Sequence, residues 1–338
     1  MTTAIDWLRD NHDDLIELFG PTTPSSDPSS ADPHDDPHRF LEVLAQAVRS
    51  GQPALFHDAI AWAKAHRAQH GGPVQALRDG LERLLAGLEE RAPEHAAQLV
   101  PPVAQILACF DALPTEPDGE LGPSTTPHAA LAQRYLDLLL EGRRREAIAA
   151  VLGAIDEGLS IHDVYLGVFQ PVQYEIGRRW QLNQITIAQE HLCTATTQLI
   201  MSQLYPRLFN GAPPHHCVVV ACVSGDLHEI GARFLADFFE MEGWDACYAG
   251  ANLPTDGLVE MVEAQQADVL AVSATMVHHV DRVREAIAAV RASRPRIAIL
   301  VGGYPFMISP DLYKEIGADG TAANAKDAVT LANQLVAS

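Results

Sequence analysis

Residues 224–231 read Ser-Gly-Asp-Leu-His-Glu-Ile-Gly, which sets a carboxylate, an imidazole and a glycine at Asp-x-His-x-x-Gly spacing. That spacing suits a metal. His228 can present one ring nitrogen to it while Asp226 accepts the other ring N–H, which fixes the tautomer and raises the ligand's basicity. Gly231 removes a side chain where a bulky ligand must pass the following helix. The GxGxxG spacing of a dinucleotide loop is absent, which disfavours a nicotinamide or flavin dinucleotide. Two further segments carry compatible chemistry. Ser273-Ala274-Thr275 offers small hydroxyl side chains suited to a polar ligand tail, and Gly302-Gly303 lets a backbone approach a ring system closely. A zinc site from His215, His216, Cys217 and Cys222 is a rival, although the two cysteines lie in an apolar run that buried small residues explain better.

The elements that position these residues follow from periodicity. Cys217–Val223, Val269–Ser273 and Ile297–Val301 are short β-rich apolar runs, and helical patterns at 230–242, 255–265 and 280–292 alternate with them. This rhythm predicts a doubly wound, parallel, five-stranded α/β domain over 213–338, with its ligand at the carboxyl ends of the strands. Residues 128–212 are helical by pattern, with Thr186-Ile-Ala-Gln189 as a capping box and Ile185, Ala188, Leu192, Ala195 and Leu199 as the expected buried stripe. Four such helices predict a bundle. Pro171 is expected early in the third.

Residues 1–113 read as an all-helical domain. Its first segment is a short helix at best, 20–38 is a flexible stretch rich in Pro, Ser and Asp, and the last helix (about 94–112) is expected to be interrupted at Pro101-Pro102. A Pro-rich linker at 114–127 separates this domain from the bundle. The fold class is therefore α plus α/β.

Together, the three strand-end segments resemble the cobalamin-binding domain of methionine synthase, corrinoid shuttle proteins and cobalamin photoreceptors. The resemblance implies a Rossmann-like domain with His228 as the lower axial ligand of cobalt. It also implies a cofactor tail inserted beside the Ser-x-Leu segment, which here reads Ser273-Ala274-Thr275, and beside Gly302-Gly303. Trp180 is followed, after nine residues, by Glu190-His191. This Trp-x9-Glu-His pattern is similar to that of the adenosylcobalamin-dependent photoreceptors, in which the bundle is a cap over the upper face. The match implies that Trp180 packs on an adenosyl group, that Glu190 and His191 flank the same pocket, and that photolysis of the cobalt–carbon bond shifts the cap and changes oligomeric state. Light-sensing repressors of that family carry a His after the Trp, where this chain has Gln181, so a light-state cobalt ligand at that position is in doubt.

The repressors also carry a DNA-binding domain in front. Residues 1–113 lack a basic recognition helix. The domain order instead resembles the photocobilins, which bind cobalamin and biliverdin. Candidate bilin contacts are His57, Trp62, His66, Arg67, His70 and Arg78. They offer cations for propionates and polar groups for pyrroles. The same histidines also suit haem, a metal or plain solvent exposure.

The net charge of −21 disfavours nucleic acid and anionic membranes. Arg143-Arg144-Arg145 reads as a solvated helix face. Five cysteines without a CxxC pair, no signal peptide and no spanning apolar run predict a soluble, cytoplasmic protein. No catalysis is expected, and no output domain is expected after residue 338. The expected route of the signal is a homo-oligomer that changes with light or a separate downstream partner. The main alternative is a corrinoid shuttle protein of methyl transfer. A cobalamin subunit of a radical mutase would leave the bundle without a purpose.

Overall fold

The computed structural model describes residues 3–19, 36–116, 122–209 and 214–337. Among the described residues, six α-helices form the N-terminal domain: α1 (Ala4–Asp10), α2 (His12–Phe19), α3 (Pro37–Ser50), α4 (Pro53–Gln69), α5 (Val74–Arg91) and α6 (Ala96–Cys109). Proline opens α3 and α4, and Gly51 ends α3 in the left-handed conformation, as the sequence predicts. Two expectations need correction. The first segment is two helices, and Ala4, Leu8, Leu15 and Phe19 bury themselves in the domain core. Helix α6 runs unbroken through Pro101 and Pro102. Burial of Leu99, Val103 and Ile106 outweighs the two lost backbone hydrogen bonds. Most of the expected flexible stretch, residues 20–35, lies outside the described residues.

The bundle comprises α7 (Ala129–Leu140), α8 (Arg144–Asp156), a long third helix and α11 (Ile187–Leu204). The third helix begins as α9 (Ile161–Val164), passes through a π-helical turn at Tyr165–Phe169 and continues as α10 (Gln170–Gln181). Pro171 therefore lies mid-helix. It cannot donate to the Gly167 carbonyl four residues back, and the π turn absorbs the mismatch. The Thr126 hydroxyl donates to that carbonyl instead, at 2.7 Å. The capping box of α11 is present, but the predicted stripe is displaced. Cys193, Thr196, Thr197, Ile200, Met201 and Leu204 face the core, while Leu192 and Leu199 are exposed. Buried threonines carry the inward face, because Thr196 and Thr197 return their hydroxyls to backbone carbonyls one turn back.

Strands β1 (Cys217–Val223), β2 (Asp245–Leu253), β3 (Val269–Ser273), β4 (Ala298–Gly302) and β5 (Gly320–Thr321) form a parallel sheet in the order β2-β1-β3-β4-β5. Helices α12 (Ile230–Met241), α13 (Thr255–Ala264), α14 (Val280–Ser293), α15 (Tyr304–Ile308), α16 (Leu312–Glu315) and α17 (Ala325–Val336) complete the domain. Alternate residues of β1 enter two cores. Val218, Val220 and Cys222 join the bundle with α12 and α17. Val219, Ala221 and Val223 join the N-terminal domain with α13 and α14. The sheet is thus covered on both faces, and the chain reverses its winding between β1 and β3. Loops after those two strands open a crevice there, the usual ligand position of such folds.

Gly303 has φ +108°, and a Cβ there would collide with the Ala274 carbonyl oxygen. Gly303→Ala should therefore cost about 3 kcal/mol. Gly51→Ala, with φ +65° and open space around it, should cost only about 1 kcal/mol. Urea denaturation of the two cofactor-free variants measures the difference.

Candidate functional site

The β1–α12 loop carries the chemistry. Asp226 is fully buried beneath it. One carboxylate oxygen accepts the His228 backbone N–H at 3.0 Å and its ring Nδ1–H at 2.9 Å. The other accepts the Thr275 backbone N–H at 2.6 Å and lies 3.5 Å from Nδ1 of His279. The loop is pinned to the end of β2 as well. Gly225 N–H donates to the Asn252 side-chain oxygen at 2.7 Å, and Asn252 N–H donates to the Asp226 carbonyl at 2.9 Å. Gly225, at φ +88°, and Asn252, at φ +52°, both take left-handed backbone to make these turns.

Hydrogen bonds from His228 and the Thr275 backbone, with the His279 ring 3.5 Å away, hold the Asp226 carboxyl far below the usual carboxylate range despite its burial. The same contact raises the His228 imidazole above its ordinary value, with Glu190 of the cap adding to the shift. With Nδ1 committed to Asp226, Nε2 is the ring nitrogen left to a metal. The His228 side chain is 54% exposed to the crevice.

The other strand-end residues divide by role. Ser273 ends β3, in register with Cys222 and Gly302. Thr275 serves through its backbone N–H, which the sequence reading had not anticipated. A Cβ on Gly231 or Gly302 would meet nothing within 4 Å, so open space borders both. Gly303 differs, because a Cβ there would collide with the Ala274 carbonyl oxygen.

The cap meets this loop directly. Gln198 of α11 donates to one oxygen of Glu229 at 2.8 Å, and Tyr248 of β2 donates to the other at 2.9 Å. At the other end of α11, Glu190 pairs with the ring of His191 and accepts the Thr194 hydroxyl at 2.9 Å. His191 is 72% exposed. Gln181 is buried. Trp180 closes α10 and lies 6.2 Å from Trp62 and 6.1 Å from His66, ring to ring. Sequence reading assigned those residues to two different ligands, and the fold brings them into one aromatic group.

In the N-terminal domain the bilin candidates separate. His66 stacks on Trp62 at 5.0 Å and on His70 at 3.9 Å. His57 is exposed and lies about half a turn round α4 from His66. Arg67 is buried against the turn at Gly72 and Pro73. Arg78 does not fit the expected role of a cation waiting for a propionate. Its guanidinium is engaged by Asp111 at 2.8 and 3.0 Å and by Glu82 at 3.2 Å. A buried Lys64, unremarked in the sequence, donates to the Phe110 and Leu113 carbonyls, each at 2.7 Å. Cys109 is half-buried. Helix α4 also touches the crevice rim, where Tyr304, next to Gly303, donates to Asp58 at 2.8 Å. Among the described residues no group of three His, Cys, Asp or Glu is arranged around a common metal position, so the zinc rival is not assembled.

This crevice and its cover are those of a cobalamin-binding fold. Residues 216–330 match the B12 binding domain family, and residues 131–205 match a second family of B12 binding domains. The matches indicate a corrinoid cofactor. Over 190 residues the chain is 26% identical to a corrinoid protein of Desulfitobacterium hafniense, which covers 54% of this chain and 87% of that one. It is 30% identical over 121 residues to dimethylamine corrinoid protein 2 of Methanosarcina mazei, covering 35% of this chain and 56% of the relative. The monomethylamine corrinoid protein of Methanosarcina barkeri shares the fold, with a TM-score of 0.53 at 20% identity, over 61% of this chain and 98% of that one.

The residues present fit the group. His228 offers Nε2 as a nitrogen donor backed by a carboxylate, and the space at Gly231 and Gly302 is unfilled by protein. No helix among the described residues is long and apolar enough to cross a membrane.

Asp226→Asn should lower the His228 pKa toward its ordinary range, because a neutral amide stabilises the imidazolium less. The Asp226–His228 pair stabilises the folded chain most between the usual carboxylate and imidazole values. That contribution is lost as pH falls through the depressed Asp226 pKa or rises through the raised His228 pKa. Proton NMR titration of the cofactor-free variant reads the shift. Affinity for hydroxocobalamin should fall roughly 10–100-fold.

Proposed function

We propose that the chain is a light sensor that holds adenosylcobalamin in the crevice, with His228 on the lower face of cobalt and the bundle over the upper face. Bound adenosylcobalamin would supply a cobalt–carbon bond that visible light breaks. The observation that carries this reading is the placement of Trp180. It sits at the end of the cap and packs against Trp62 and His66 of a further domain, so the N-terminal domain leans on the residue expected to touch the upper ligand.

The protein's own part is positional. Asp226 holds the His228 ring with Nε2 outward. Gln198 ties the cap to Glu229, the residue after the metal ligand, so a cap displaced from above acts on the loop that grips cobalt from below. Trp180 passes the same displacement to α4. A change in self-association or in contact with a separate partner would then report it. Biliverdin is the proposed second ligand. The aromatic group of Trp62, His66 and His70 and the buried Arg67 are its candidate contacts, and Arg78 is set aside because Asp111 already neutralises it.

A second reading has specific support. The named relatives are corrinoid proteins, two of them of methylamines, rather than light receptors. The chain would then carry a methyl group on its corrinoid between partner methyltransferases. On present comparisons this reading is the better backed of the two by kinship, whereas the cap residues and the N-terminal domain favour the sensor.

One experiment separates them. The full chain is loaded with adenosylcobalamin in darkness and illuminated while its absorption spectrum and gel-filtration volume are followed. A sensor changes both, and Trp180→Ala weakens the coupling between them. A spectrum that changes with no shift in elution volume supports the methyl carrier. His228→Ala should reduce cobalamin affinity at least about 10-fold and alter the spectrum. Biliverdin added in the same assay should give a bound absorption band that His66→Ala removes.

A further inference from the structure

We propose that the bundle is latched to α12 by a proton-dependent seam, in which the buried Asp237 carboxyl holds a proton while the cap is seated and gives it up when the cap lifts. The proposal rests on the reading of the bundle as a movable cap. Glu229, Arg233 and Asp237 are spaced four apart, from the residue that opens α12 onward, and share one face of that helix. Each is tied to a neutral group of the bundle. Glu229 accepts from Gln198 at 2.8 Å, Arg233 donates to the Ser202 hydroxyl at 2.8 Å, and Asp237 accepts from the Tyr165 hydroxyl at 2.5 Å. Gln198 and Ser202 are also four apart, on α11, so two helices meet along a polar line. The three charges of this line all belong to α12. Lifting the bundle therefore strands none of them on the cap, and on α12 they can hydrate or pair with one another one turn apart.

Asp237 is the buried member of the line. The ring of its partner Tyr165 lies 5.0 Å from Phe234, 5.4 Å from Phe169 and 6.0 Å from Phe238. Behind this aromatic wall burial pushes the carboxyl up to about 6, and the Tyr165 bond and the charge of Arg233 only partly oppose the rise. Other titratable groups face the same boundary. Glu240, on α12, is itself raised by burial, with Asp245 of β2 and Asp237 adding to the shift. Tyr205, just past α11, feels Asp237, Glu240 and Asp245. His162, near the start of the third bundle helix, lies 3.3 Å from Glu242 and sets its ring edge against Phe238. Exposed to water, the Asp237 carboxyl would return to the usual carboxylate range, so the seated state binds the proton more tightly. Acid therefore favours seating. That contribution is full below the usual carboxylate range and is lost as pH rises through about 6.

The test uses the cofactor-free full chain across the weakly acidic to neutral range. Carbon-13 NMR follows the Asp237 carboxyl. Amide hydrogen exchange of α11 and the Tyr165–Phe169 turn, corrected for the intrinsic effect of pH, follows seating. Protection should fall roughly 10–100-fold as Asp237 loses its proton. Asp237→Asn keeps an acceptor for Tyr165 but does not titrate, and should flatten the profile. Tyr165→Phe removes a bond that favours the charged form and should move the midpoint to higher pH. His162→Gln should leave the profile in place. Should Asp237→Asn fail to fold by circular dichroism, the Tyr165→Phe midpoint decides. A wild-type Asp237 that titrates in the ordinary carboxylate range overturns the latch. So does protection that still falls with pH in Asp237→Asn, an unmoved midpoint in Tyr165→Phe, or a profile abolished by His162→Gln. Hydroxocobalamin is the control for the cap reading. Loading it should raise α11 protection at both ends of the pH range. No rise means that the bundle does not cover the cofactor, whereas the Asp237 titration in the cofactor-free chain stands independently.

Discussion

A buried carboxylate with nowhere to go is the constraint around which this molecule is arranged. Taking an ionised Asp226 out of water is costly unless its oxygens are saturated. The fold surrounds them from three directions: hydrogen bonds come from the His228 loop after β1 and the Thr275 backbone after β3, and the His279 turn that opens α14 sets an imidazole 3.5 Å away. Those directions converge only where the winding of the sheet reverses. The order β2-β1-β3-β4-β5 is therefore the geometry that lets one carboxylate orient the His228 ring. The positive φ at Gly225 and the Asn252 clamp are the local price of holding that loop still.

The two helical domains reach the same crevice from opposite faces of the sheet. The bundle shares a core with α12 and α17, and a buried Tyr165 hydroxyl donates to Asp237 at 2.5 Å across that boundary. Burial pushes the Asp237 carboxyl up to about 6. The N-terminal domain shares the other core and touches the crevice at Tyr304 through Asp58. Burial raises the Asp58 carboxyl too. Both domains then meet again at Trp180. The crevice is thus bordered by three bodies, and the residue after His228, Glu229, is held by one of them.

The chemistry was legible where side chains act through their own type and spacing. Asp226 and His228 could be found because a carboxylate two residues before an imidazole has one plain use, and the β-rich runs marked β1, β3 and β4 closely. Other parts left no such trace. Strand β2, Asp245–Leu253, mixes Gly, Asn and Ala with few branched residues, so its pattern does not read as a buried strand. Thr275 contributes a backbone N–H, which carries no residue signature. His279 is 51 residues beyond His228 in sequence, and only the parallel pairing of β1 with β3 brings it near. The inward face of α11 was misplaced because hydrophobicity marks leucine before threonine, whereas here threonine hydroxyls satisfied within the helix fill the core. Pro101 and Pro102 misled for the converse reason, since local propensity lost to packing.

The division of the two cores along β1 has a consequence for modularity. Even-numbered and odd-numbered residues of a single strand face different cores, but α13 and α14 stand between the odd-numbered face and the front domain. Removing that domain would leave Val219, Ala221 and Val223 under their own helices and would uncover the Val277–His279 turn, α15 and α10 instead.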